Sequence, residues 1–269
     1  MSQNIRAKKH LGQHFLKDEN IAKKIVDSLL EVNKGVAVIE IGPGTGVLTK
    51  YLTAELSKGM PSAKNNFWAL DVDTDSVPYL KAHYPEIADN ILLEDFLKFD
   101  IKQIIKGKFN VVGNFPYNIS TEILFKVLEN KNDVDVVVGM FQKEVAMRIA
   151  EKPGSKTYGI TSVLLQAFYD IEYLFTVNEN VFTPPPKVKS AVIRLTRNKR
   201  TKLPCDETLF TKVVKTTFNQ RRKQIRNSIR PIITLADTEL LPVFQKRPEQ
   251  LSVEEFIALT DFVESKLSS

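Results

Sequence analysis

Residues 36–46 read VAVIEIGPGTG, an apolar run of strand type that stops on glycine at positions 42, 44 and 46. A strand so continuously apolar is buried on both faces, which calls for helices above and below a largely parallel sheet. The glycines permit a tight turn and a close backbone approach to a ligand, because no Cβ intervenes. In open sheets of this kind ligands bind outside the carboxyl ends of the strands, so this loop marks a binding crevice.

The same pattern recurs through the first two-thirds of the chain. "FWAL" (Phe67–Leu70), "NILLE" (Asn90–Glu94), "FNVVG" (Phe109–Gly113) and "VDVVVGMF" (Val134–Phe141) read as strands. The segments "GVLTKYLTAEL", "DSVPYLKAHY" and "STEILFKVLEN" between them carry helical periods. Such alternation implies an open, helix-flanked α/β sheet. "DIEYLFTV" and "SAVIRLTR" add two strands, joined through "FTPPPKVK", where three prolines force an extended connector poor in donors. Beyond Arg200 the pattern turns helical, and its last segment opens on Ser252 and Glu255 in capping-box spacing. The composition break at "NKRTKLPCD" places the domain boundary there: an α/β domain over 1–200 and a small C-terminal all-helical domain over 201–269.

Several classes are disfavoured at once. No run of eighteen apolar residues and no apolar leader core occurs, so a soluble, cytoplasmic protein without membrane contact is expected. One cysteine, Cys205, and three scattered histidines, His10, His14 and His83, argue against a disulfide framework and a metal site. Charge is more informative. Between Asn180 and Ala236 fourteen Lys and Arg face two acids, a local +12, which leaves −6 on the remainder of a chain whose net charge is +6. A basic block on a mildly acidic body fits a nucleic acid better than it fits mere solubility.

The loop is not the dinucleotide type, since Val47 stands where the third glycine belongs, and it lacks the Gly-Lys-Ser/Thr of a phosphate loop. Its spacing matches methyltransferases that use S-adenosylmethionine. Asp71, at the end of the second strand, can accept from both ribose hydroxyls, and Asp95 follows the third strand where an adenine edge would lie. Asp73 and Asp75 read as turn or cap residues.

The fourth strand ends in "NFPY". A methyl group on a sulfonium is already activated, so transfer needs an aligned nucleophile more than a strong base. Two acceptors, the Asn114 side-chain carbonyl and the Phe115 backbone carbonyl, would align an exocyclic amine. Pro116 keeps Phe115 extended. Tyr117 can stack on an extruded base, and both aromatics are expected to hold it.

With these residues in view, the chain strongly resembles ribosomal RNA adenine dimethyltransferases of the KsgA family. The likeness covers essentially the whole length: "KKHLGQHFL", "EIGPGTG", "NFPYNIS", "FQKEVAMRI", "VFTPPPKVKSAVIRL" and "FNQRRKQIRNSI". The resemblance implies a Rossmann-like methyltransferase sheet that transfers two methyl groups to each of two adjacent adenosines near the 3′ end of small-subunit ribosomal RNA. The substrate it implies is a partly assembled 30S subunit, and the enzyme is expected to be a monomer. It gives His14 and Leu16 cofactor-binding roles alongside Gly42, Gly44, Gly46, Asp71, Asp95 and Asn114. It offers Phe182 as a second wall for the base, with core packing an equal alternative, and Lys187 and Lys189 as RNA contacts. Arg221, Arg222, Lys223 and Arg226 form a basic cluster for RNA phosphates, and on a plain helix Arg222 and Arg226 would share a face. The competing readings are an Erm-type enzyme acting on large-subunit RNA, a DNA methyltransferase, and a non-catalytic assembly or transcription factor on the same scaffold.

Overall fold

The computed structural model describes residues 5–56, 66–234 and 241–268. The lead-in "SKGMPSAKNN" lies, up to Asn65, outside them. The chain divides into two compact units: one runs to Ala146 and adds Ile171–Arg197, and the other joins Met147–Asp170 to the chain from Asn198 onward.

The first unit opens with a short strand β1 (Phe15–Leu16) and a helix α1 (Glu19–Leu30) that had no counterpart in the sequence reading. Asp18 caps α1 by accepting from the backbone N–H groups of Asn20 and Ile21. The main sheet has seven strands: β2 (Ala37–Ile41), β3 (Phe67–Asp71), β4 (Ile91–Leu93), β5 (Phe109–Asn114), β6 (Val134–Gln142), β7 (Tyr169–Val177) and β9 (Ser190–Arg197). Their order is β4-β3-β2-β5-β6-β9-β7. The first five are parallel, and β9 runs antiparallel to β6. Every residue of β2 is buried, as its unbroken apolar run requires.

Helices α2 (Thr49–Leu56), α3 (Ser76–His83), α4 (Ser120–Glu129) and α5 (Lys143–Ala150) follow β2, β3, β5 and β6 in turn. The "FTPPPKVK" segment is more than a connector. Its first two residues form β8 (Phe182–Thr183), which pairs antiparallel with β1 and ties the N-terminal segment down.

The second unit is helical: α6 (Ile160–Gln166), α7 (Glu207–Asn219), α8 (Ile225–Ser228) and α9 (Val253–Leu267). The expected capping box is formed, with Ser252 and Glu255 exchanging backbone N–H bonds of 3.1 and 3.0 Å. The expected boundary at 200/201 lies close to the break after Arg197, but residues 147–170 also belong to this unit. The cause is burial: α6 lies against α7 and α9 with Val163, Leu164 and Leu165 buried, and the Tyr158 ring lies 6.3 Å from that of Phe218. Phe218 in turn stacks on Phe256. A fully buried phenylalanine such as Phe256 contributes about 1.5–3 kcal/mol, so these rings decide which segment docks where. Among the described residues no helix is long and apolar enough to cross a membrane.

Candidate active site

From β2 the chain moves outward to β3 and β4, and from β5 it moves the other way to β6. Connections that part in this manner leave a crevice beyond the carboxyl ends of the two central strands. Glu40 pairs with Val112 across them, so Gly42 and Asn114, each two residues further on, form the lips of that crevice. A cavity of about 210 Å³ opens between them, lined by Gly42, Gly44, Asp71, Asp95, Asn114 and Tyr117, with His14 among its other walls.

On the β2 side, Gly42, Gly44 and Gly46 all hold left-handed φ angles of 65°, 58° and 84°. The Gly44 N–H donates to one oxygen of Asp71 at 3.2 Å, and the Asp73 N–H to the other at 2.9 Å. Burial raises the Asp71 pKa, and these backbone donors oppose the shift. A carboxylate has about four lone-pair sites, so roughly half remain for a ligand's hydroxyls. Gly46 differs from its neighbours because it does not line the cavity. A Cβ there would lie 2.9 Å from Leu80 and Tyr84, so this glycine admits α3 and the tyrosine that follows it. Beneath the loop, burial pushes the Glu40 carboxyl up to about 8, although it accepts the Thr49 hydroxyl at 2.7 Å. At neutral pH it therefore adds little charge to the crevice.

Asp95 sits on the same wall. It accepts the Leu97 N–H at 3.0 Å and pairs with Lys98 at 3.5 Å. Leu97 and Val72 line the same cavity, and Val72 is 47% exposed although it follows a buried strand. An apolar side chain left bare inside a cavity suits a flat ring laid against it. The set of two carboxylates, an apolar wall and a close-approach backbone thus fits an adenine nucleoside.

On the β5 side, the Asn114 Nδ2 donates to the His14 carbonyl at 2.8 Å. A carbonyl can only accept, so the amide is oriented and its Oδ1 is turned the other way. No backbone N–H among the described residues is directed at the Phe115 carbonyl, while that of Pro116 accepts from Ile119. The Tyr117 hydroxyl bonds Ser190 Oγ, and burial raises its pKa. Its ring lies 5.4 Å from that of His14.

The two aromatics of the tetrapeptide part company. Tyr117 lines the cavity with its ring half-buried, but the Phe115 ring is 1% exposed and fills the space above the paired glycines Gly113 and Gly139. It meets Phe141 edge-on at 5.2 Å, so it belongs to the core and cannot hold a base. The base-wall role of Phe182 is corrected likewise, whereas Leu16, although its side chain is buried, lines a small neighbouring cavity with Gly42, Gly44 and Asn114. Leu16 and Phe182 face each other across the β1–β8 ladder, 3% and 1% exposed, in one core cluster, and neither lines the larger cavity that holds Tyr117. Phe182 is thus the core phenylalanine of its two readings.

The N-terminal segment crosses the site as a strap. Lys8 forms ion pairs with Asp73 and, at 2.7 Å, with Asp75, and Gln13 donates to Asp73 at 2.8 Å. His14 Nδ1 donates to the Pro184 carbonyl at 2.7 Å. Asp73 also accepts the Asp75 N–H, the turn role expected of it, whereas Asp75 stands at the N-cap of α3 without a side-chain cap bond. Lys8 and Gln13 outweigh burial and hold the Asp73 carboxyl down at about 2. A depressed carboxyl contributes stability that is complete above its unfolded pKa near 3.8 and is lost as pH falls through about 2. Amide protection over residues 8–16 is therefore expected to hold from pH 7 to about 4.5 and to collapse below about 3, with Asp73→Asn lowering it severalfold at pH 7. Equal protection in variant and parent at pH 7 would dismiss the clamp.

In the second unit the basic cluster is not a plain helix. Arg221, Arg222 and Lys223 occupy the turn between α7 and α8. Arg221 is half-buried, donates to the Ser155 carbonyl at 3.1 Å and approaches Glu249 at 3.8 Å, so it fastens this turn internally. Arg222, Lys223 and Arg226 are exposed, as are Lys187 and Lys189 in the first unit. Sequence reasoning passed over Gln13, Val72 and Leu97. For Val72 a signal existed, an apolar residue directly after a strand-ending acid, but nothing in one dimension says that it stays bare. Among the described residues no group of three or more His, Cys, Asp or Glu could hold a metal ion.

Comparison with known proteins adds to this geometry. The family model described as "Ribosomal RNA adenine dimethylase" matches residues 4–262. The chain is 57% identical over 267 residues to "Ribosomal RNA small subunit methyltransferase A" of Cytophaga hutchinsonii, covering 98% of this chain and 100% of that protein. The protein of the same description from Flavobacterium johnsoniae is 56% identical over 264 residues, with 98% of each chain covered. Among solved structures, a dimethyladenosine transferase from Plasmodium falciparum gives a TM-score of 0.75 at 23% identity, over 91% of this chain and 96% of that one. The 23S rRNA methyltransferase ErmE gives 0.64 at 22%, over 92% and 99%. At such identities the two structures speak for the fold alone.

Proposed function

Because the chain belongs to the ribosomal RNA adenine dimethylase family, we propose that it dimethylates the exocyclic amines of two adjacent adenosines near the 3′ end of small-subunit ribosomal RNA. It is a methyltransferase acting during small-subunit biogenesis. Its substrate is a partly assembled 30S subunit in the cytoplasm, which it meets as a monomer.

S-adenosylmethionine, when bound, supplies a methyl group already activated by its sulfonium. The chain's own residues bind and aim. Asp71 takes the ribose hydroxyls, Asp95 the adenine edge, and Val72 with Leu97 the ring face. Gly42 and Gly44 carry the loop along the ligand, Gly44 also leaving room for the Phe15 ring, and the His14 segment lies over it. Asn114 Oδ1 and the Phe115 carbonyl would accept the N–H bonds of the target amine, two at the first transfer and one at the second, and so aim its lone pair at the methyl group, with the surplus N–H proton of each transfer leaving to solvent. Tyr117 stacks on the extruded base. Arg222, Lys223 and Arg226 meet phosphates and set position without reading sequence.

The observation that carries this reading is that Asn114, fixed by His14, lines one cavity with the glycine loop, Asp71 and Asp95. Tritiated methyl incorporation into small subunits, large subunits and duplex DNA tests it. Label is expected in small subunits only, as two dimethyladenosines by mass spectrometry. Label confined to large subunits or DNA would replace the substrate, and no turnover on any of the three would favour the non-catalytic reading.

A further inference from the structure

A second cavity, of about 590 Å³, adjoins the first and shares Gly12, Gln13, His14 and Tyr117 with it. Its far side is formed by Pro184–Pro186 with Lys187 and Val188, and its floor includes Gln142. The proline run gives an apolar platform, Tyr117 an aromatic face, and Lys9 with Lys187 cations at the same cavity. That combination suits a nucleotide, with an apolar slot for the base and cations for flanking phosphates.

Gln142 stands out within it. It ends β6, and the register sets Met140 opposite Asn114 and Gln142 opposite Ser190. Cross-strand partners, and residues two apart on one strand, project on the same face of a sheet. Asn114, Gln142 and Ser190 therefore share a face, and Ser190 holds the Tyr117 hydroxyl. The amide of Gln13, which lines both cavities, is consumed by Lys8 and Asp73. That of Gln142 makes no side-chain hydrogen bond among the described residues. A half-buried amide without a partner beside an aromatic ring is equipped to read a base edge.

We propose that Gln142 is the residue that selects adenine, by donating its side-chain N–H to the ring nitrogen N1 beside the target amine in this second cavity. N1 accepts in adenine, whereas in guanine it carries a proton. The inference rests on the function proposed above and adds to it the group that recognises the base.

The test pairs a variant with an altered base. Single-turnover methyl transfer is measured for the parent and for Gln142→Ala, on small subunits reconstituted with adenosine or 1-deazaadenosine at the modified positions. Removing either partner is expected to slow transfer about tenfold or more, because the site is left with one polar group unpaired. Removing both should cost little beyond either single change. Gln142→Glu, which can only accept when ionised, should discriminate against adenosine as strongly as the alanine variant, and it guards against a folding defect peculiar to alanine. Cofactor binding by calorimetry should be unchanged in both variants. If the two losses multiply instead of merging, Gln142 does not touch N1 and the proposal is overturned. A parent enzyme that fails on adenosine subunits would strike the functional reading itself.

Discussion

Asn114→Ala is expected to lower methyl transfer to small subunits by ~10²-fold or more, by analogy with the loss of one oriented transition-state partner. The reason lies in what the amide does at each end. Its Nδ2 is spent on the His14 carbonyl, so its Oδ1 is oriented before any substrate arrives. Alanine removes the acceptor and also the tether of the strap at residue 14. Two further contacts still hold the strap, at Asp73 and at the Pro184 carbonyl, so cofactor affinity should change by only a few-fold. Calorimetry and single-turnover assays separate the two effects. Turnover near that of the parent would take Asn114 out of the chemistry.

The second large effect should come from a residue that touches no ligand. Gly139→Ala drives a methyl into the Phe115 ring and to 2.6 Å from the Phe141 ring, inside a fully buried layer. Neither ring can yield without moving the backbone that carries it. Overpacking of this kind costs about 1–3 kcal/mol, equivalent to a fall in Tm of about 3–10 °C. The displaced Phe115 carries its own carbonyl and the Pro116–Tyr117 turn with it, so transfer should fall further than the population of folded protein does. Thermal denaturation and kcat on the same preparations check this. A Tm within 1 °C of the parent would mean that the layer has room that the structure denies.

That layer also shows where one-dimensional reasoning reached its limit. Both aromatics of "NFPY" invited the role of base holder, yet a strand alternates its side chains, so Asn114 and Phe115 must project to opposite faces. The alternation could have been applied to the sequence. What could not be foreseen was the hole above Gly113, because half of it is made by Gly139 on the neighbouring strand. Leu16 and Phe182 repeat the lesson, since their burial depends on a two-residue ladder between segments 166 residues apart. The basic cluster failed differently. Helical spacing puts Arg222 and Arg226 on one face, but the turn after α7 places three of the four basic residues outside any helix, and Arg221 is drawn inward by Glu249.

Sequence alone determined the strand-and-helix alternation, the glycine loop at the end of the first long strand, the acids after the next two and the tetrapeptide after the fourth. Those are local properties: an apolar run, a missing Cβ or a proline acts on the backbone of its own segment whatever lies around it. Only the tertiary structure decided which of these residues share a cavity, which aromatic is free, that residues 147–170 join the C-terminal helices, and that Lys8 and Gln13 bind a strap to Asp73. Burial and pairing belong to surfaces that meet, and the partner surface is set by chain far away in sequence.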